Sequence, residues 1–167
     1  DQADRRAAWQ VAISAFARAE ALAARLAEPT RRELEALKRR ERILEVLDRR
    51  SERSVAVERM IELSRKLGDA SVEAYALLRK MGLRALVGDR EGVRTARRRA
   101  VRLFEQLGDP LGEARAYREL AVAAFRLGDH RAVVDAGVGA IRTYRAAGDA
   151  PNEAATAWNV AMAHRRM

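Results

Sequence analysis

The chain has 167 residues, 49% of them hydrophobic and 34% charged, with no cysteine and a formal net charge of +9. A chain of this length suits one compact domain or one short repeat array, and the lack of thiols excludes disulfides and thiolate chemistry. No apolar run approaches the ~20 residues of a membrane span, so no membrane partner is expected and the expected compartment is the cytoplasm.

The opening DQADRRAAWQ carries neither a secretory signal nor an initiator Met, which predicts a fragment or a processed product. Weak turns are expected at Glu28-Pro29 and Asp48-Arg49. Stronger ones follow in the same register at Gly68-Asp69, Gly88-Asp89, Gly108-Asp109, Gly128-Asp129 and Gly148-Asp149, with an interval that never changes. Glycine suits the left-handed position just past a helix. Aspartate suits the next N-cap, where its carboxylate accepts from free N–H groups and its charge favours the helix's positive end. Pro110 and Pro151 then fall in the first turn, where a missing N–H costs nothing. Each Gly-Asp pair therefore reads as one helix stopping and another starting.

The stretches between have helical periodicity. Val93, Ala96, Ala100, Leu103, Phe104 and Leu107 share a face. Ala114, Tyr117, Leu120, Ala121 and Ala124 share the next, and Val133, Ala136, Ala140, Ile141 and Tyr144 a third. Each helix is expected to hold roughly 16 residues and measure about 24 Å. A column of small residues (Ala36, Ala56, Ala76, Ala96, Ala116 and Ala136) recurs at the interval of the turns and lets neighbouring axes approach closely. The pattern predicts about eight antiparallel helices and no strand, a repeat array.

Alternate helices differ, so the true repeat is a pair of helices, roughly 40 residues in length. The unit LGDPLGEARAYRELAVAAFRLGDHRAVVDAGVGAIRTYRAAGD resembles the tetratricopeptide (TPR) repeat in its longer, kinesin-light-chain form. Glu113-Ala114, Ala116, Leu120-Ala121, Phe125, Leu127-Gly128-Asp129 and Ala140-Ile141 occupy the matching places. Lys80 stands where a core Leu is usual, and Ala121 where Gly is usual. The resemblance implies an all-α, right-handed TPR-like helical solenoid of about eight antiparallel helices, with residues 1–167 as a single array. Residues 1–68 are degenerate repeats; residues 69–167 are clear ones, the last incomplete. The stretch ALKRRERILEVLDRRSERSVAVERMIELSRKLGD is also similar to tails of bacterial ATP-binding regulators, which implies the sensor or scaffold part of a larger regulatory protein.

Catalytic signatures are missing. There is no G-x-G-x-x-G or G-x-x-x-x-G-K-[ST]. Gly137 and Gly139 read as close-packing residues within a helix. His130, expected on the surface of a first helical turn, and His164 lie in different repeats with no H-E-x-x-H, so no metal site is expected. Ser14, Ser51, Ser54, Ser64 and Ser71 have no G-x-S-x-G context, and Glu33 and Glu35 cannot face each other at i,i+2. The chain is not expected to be an enzyme or to hold a cofactor. Arg97-Arg98-Arg99 reads as a solvated helix face.

In TPR arrays the first helix of each pair lines a groove that holds peptides, and the resemblance places Arg115, Arg118, Val122, Phe125 and Arg126 there. One repeat later the places belong to Ala155, Trp158, Met162, Arg165 and Arg166; one repeat earlier, to Tyr75, Leu78, Gly82, Ala85 and Leu86. Asn159 stands where the family often uses Asn to bond a ligand's backbone. Arginines bind carboxylates bidentately and Trp158 offers an apolar anchor. The expected function is therefore a protein–protein interaction module taking an acidic peptide or helix. Val160, Ala161 and Trp158 are expected to leave apolar surface open or to dimerise. The alternatives are nucleic-acid binding through Arg-rich faces, disfavoured by few aromatics and interspersed acids, and a structural arm without a ligand.

Overall fold

The computed structural model describes residues 2–23 and 31–167. Among them stand eight helices and no strand: α1 (Gln2–Ala23), α2 (Arg31–Val46), α3 (Arg50–Lys66), α4 (Ala70–Leu86), α5 (Arg90–Leu107), α6 (Pro110–Arg126), α7 (His130–Ala146) and α8 (Ala150–His164). The all-α repeat expected from the sequence is what the chain adopts. The turn expected at Glu28-Pro29 lies outside the described residues.

Each Gly-Asp junction works as one device. Gly68, Gly88, Gly108, Gly128 and Gly148 all have positive φ, between 61 and 75°. That left-handed step turns the following Asp N–H back to a carbonyl near the end of the preceding helix, as in Asp109 to Phe104 at 3.0 Å. The same aspartate's carboxylate reaches forward, accepting from Val72 N–H at 3.0 Å, Gly92 at 2.7 Å and Gly112 at 2.8 Å. One residue thus closes the old helix and opens the new one. At the earlier junction Asp48 takes the glycine's place with φ 53°, and Arg49, at the N-cap, has no side-chain cap bond. The fault is local: the register holds.

Two compact units divide the chain, residues 1–76 and 77–167, with the boundary inside α4. In the first, α2 packs against both α1 and α3, and Ile13, Leu34, Leu37, Leu44, Val57, Met60 and Leu63 are buried. Carboxylates are buried there too, which charge patterning did not suggest. Glu33 pairs with Arg59 at 2.7 Å, Glu41 with Arg53 at 2.6 Å and Glu73 with Arg65 at 2.8 Å. Each acid is met by a long arginine from the adjoining helix, which keeps part of its own guanidinium in water.

In the second unit α6 packs on α5, α7 and α8, and α7 on α8. Ala121, Ala124, Val133, Ala136 and Ala163 form one cluster; Ala85, Val93 and Ala123 form another; Ala114, Ala140 and Tyr144 a third. Ala56, Ala76, Ala96, Ala116 and Ala136 are all buried, so the alanine column does lie at helix contacts; Ala36 is half-buried. Gly137 is the close-packing glycine it was expected to be, since a Cβ there would collide with Val160. Gly139 is not: nothing lies within 4 Å of a Cβ built on it.

Candidate functional site on the first helices

Along α6, Arg115, Arg118, Val122, Phe125 and Arg126 follow at helical spacing on one stripe. Trp158 and Met162 do the same on α8, with Arg165 at its C-cap and Arg166 just beyond. The two helices pack directly, and the Arg166 guanidinium carbon lies 5.1 Å from the centroid of Phe125. Both residues sit at their helices' C-terminal ends, so the stripes run side by side with those ends aligned. Gly82 on α4 adjoins the same surface, because a Cβ there would stand 3.7 Å from Arg126 Nη1.

The individual side chains differ in how free they are. Arg118 is half-buried and donates to Glu119 at 2.8 Å, while its Nε is shut from solvent with no partner. Burial pushes the Tyr144 phenol up, and the positive charges of Arg118 and Arg115 oppose that rise. The Asp149 carboxyl is held below its usual range first by its hydrogen bond from Asn152, with Arg115 and Arg118 adding to the effect. The charges of these two arginines are therefore felt at the α7–α8 junction as well. Arg126 is exposed and pairs with no carboxylate among the described residues. Arg166 is exposed and stacked on Phe125.

Trp158 is 67% exposed, which leaves a large apolar ring in water. Asn159, Met162, Val122 and Phe125 are half-buried. Val160 is half-buried with its methyl against the α7 backbone at Gly137, and Ala161 is exposed. On α4, Leu78 and Ala85 were expected on the groove but are buried. Ala85 packs with Val93 and Ala123, because α4 must cover α5 and α6 at that height. Leu86 is 39% exposed.

Two further expectations change, those for His130 and Arg97, while Arg98 keeps to its own. His130 is half-buried rather than on the surface: its ring stands edge-on to Phe125 at 5.8 Å and its Nδ1 is enclosed without a partner. Arg97 is no solvated cation, since its guanidinium lies over Tyr117 at 5.3 Å from the centroid. Arg98 is exposed, with Glu91 at 3.4 Å. For two of the buried acids a usable signal was present in the sequence: Glu33 and Glu73 recur with the half-buried Glu113 and Glu153 once per helix pair, always at the same place. Arg65–Glu73 and Arg145–Glu153 are then the same bridge, each joining the last turn of one helix to the first turn of the next.

Among the described residues no group of His, Asp and Glu could hold a metal ion, and no helix is long and apolar enough to cross a membrane. No family model and no curated protein matches this chain.

Proposed function

We propose that residues 77–167 form a TPR-like interaction module that binds an acidic peptide across α4, α6 and α8. The observation that carries this reading is that Trp158 stands open on α8 while Arg126, on the adjoining stripe of α6, keeps an exposed guanidinium. A cation on one helix and an exposed aromatic on the next can take a carboxylate and an apolar side chain at separate points of one ligand. The resemblance of residues 36–69 to the tails of ATP-binding regulators suggests such a module in a sensor or scaffold arm, where a docked partner is the output. Nucleic acid fits less well, because Glu91 pairs with both Arg94 and Arg98 on the arginine-rich α5 and Arg97 is spent on Tyr117.

The test uses a Trp9→Phe chain, in which Trp158 is the one remaining indole. Titration with an acidic peptide should change its emission, and raising salt should weaken the binding. Arg126→Glu with Arg166→Glu should lower affinity at least ~10-fold, the scale of a charge-assisted contact, with the helical signal intact. Undiminished binding by that double variant would show that the basic stripe is ordinary solvated surface.

A further inference from the structure

Gly82 on α4, Val122 on α6 and Met162 on α8 hold equivalent positions in successive repeats, and all three are half-buried. Val122 and Met162 fill this line of the surface, whereas Gly82 leaves it open. Glycine within a helix weakens it relative to alanine; Gly139 has no neighbour to account for it, but at Gly82 a charged group adjoins the gap, and packing is the first reason to test. Packing supplies none: a Cβ would meet only Arg126 Nη1, at an ordinary 3.7 Å. Backbone geometry supplies none either, since Gly82 is absent from the residues with positive φ. Gly92, Gly112 and Gly137 differ, because a Cβ on each would collide with a neighbour.

We infer that Gly82 and Arg126 form a notch for an acidic residue of the bound peptide. The carboxylate takes the guanidinium of Arg126, and the ligand's main chain lies against α4 where no side chain stands. This rests on the peptide-binding reading above and gives the ligand a pattern. Packed helices lie about 8–10 Å apart, so the two steps from α4 to α8 span about 20 Å. An extended chain covers that in roughly six residues at ~3.3 Å each. The preferred ligand therefore carries Asp or Glu at one point and, roughly six residues away, an apolar side chain for Trp158 and Met162.

The experiment is fluorescence anisotropy with fluorescein-labelled peptides of about twelve residues, each with one Asp and, roughly six residues on, one Leu. Controls replace Asp with Asn or halve the spacing. The wild-type chain should prefer the Asp peptide at the long spacing. Gly82→Leu, which fills the notch, should weaken binding at least ~10-fold, the loss of one anchoring contact. Gly82→Ala should weaken it less while raising the melting temperature by about 2–4 °C. Equal binding by wild type and Gly82→Leu, with Arg166→Glu still defective, overturns the notch and leaves the groove. No preference of the wild type for Asp over Asn overturns both. A Gly82→Ala chain that melts lower than wild type shows the glycine to be structural and overturns the notch as well.

Discussion

Gly137 and Gly139 stand two positions apart in α7, and alanine at each should move stability in opposite directions. At Gly139 a Cβ meets nothing within 4 Å, so Gly139→Ala recovers only the helix propensity that glycine forfeits, about 0.5–1 kcal/mol. At Gly137 the same gain is available, but the new Cβ would collide with Val160 Cγ2 on α8 and would also touch Thr156 Cγ2 at 3.7 Å. Both neighbours are β-branched and stiff at χ1 in a helix. Thr156 is fully buried and its hydroxyl donates to Asn152 O at 2.7 Å. Overpacking of this kind costs about 1–3 kcal/mol, so Gly137→Ala should end roughly 1 kcal/mol below wild type and about 2 kcal/mol below Gly139→Ala. Urea unfolding followed by helical circular dichroism gives the midpoints, and the slope checks that the unfolded surface has not changed. Val160→Ala supplies the control, because removing the colliding methyls should let Gly137→Ala regain its propensity and so couple the two changes. If both alanines shift the midpoint the same way, or if Val160→Ala leaves the penalty at Gly137 unchanged, then α7 and α8 are not packed on this face.

Two further substitutions test the junctions. Gly108→Val should cost about 1–2 kcal/mol, all of it backbone, because φ is 61° and nothing lies within 4 Å of a Cβ there; a neutral outcome in urea melts would refute the left-handed stop. Glu105 occupies the place before Glu113 that Arg65 and Arg145 hold before their own glutamates, and α5 has no base in its last turn. Glu105→Arg should therefore add from a few tenths to about 1 kcal/mol, and a lower melting point would show that the bridge does not repeat at this junction.

The junctions were legible because a left-handed turn and an N-cap each demand a particular residue, and the chain supplies both at a fixed interval. The alanine column was legible for a similar reason: helices approach only where side chains are small. What stayed hidden was everything that depends on which side chain of a neighbouring helix arrives. Glu33 and Glu41 look like surface residues because burying a carboxylate is costly unless it is met, and the arginines that meet them lie 26 and 12 residues away. Arg97 over Tyr117 and His130 against Phe125 are contacts between helices that no spacing along one helix announces. At the candidate site the pattern placed Trp158 and Arg126 on the open surface but also put Leu78 and Ala85 there. Those two are small or apolar enough to serve either face, and the packing of α5 decided. The exchange of work between Arg118 and Glu119 was invisible because adjacent residues do not share a helix face in the pattern, though long side chains can bend to meet.

Glu20 gives a sharper test of how the ion pairs of residues 1–76 contribute. It accepts from Arg40 at 2.6 Å with 15% of its side chain exposed, and its Oε1 is enclosed without a partner. Desolvation pushes its carboxyl above the usual range; the charge and hydrogen bond of Arg40 pull it down but do not prevail, and Glu33 adds to the rise. The sign follows from linkage. An acid whose folded value lies above its unfolded one binds its proton more tightly when folded, so its favourable contribution belongs to the protonated form. That contribution is complete below the unfolded value and is lost as pH rises through the folded one. Glutamine mimics the protonated acid. Glu20→Gln should therefore match or exceed wild-type stability near about pH 7, with the advantage shrinking to nothing at about pH 4 and below, where wild type is itself protonated. Paired urea titrations at the two pH values measure the difference. If Glu20→Gln is instead clearly less stable near neutrality and equal to wild type in acid, the attraction to Arg40 outweighs the cost of burial, and the pair is a net stabiliser of the first unit.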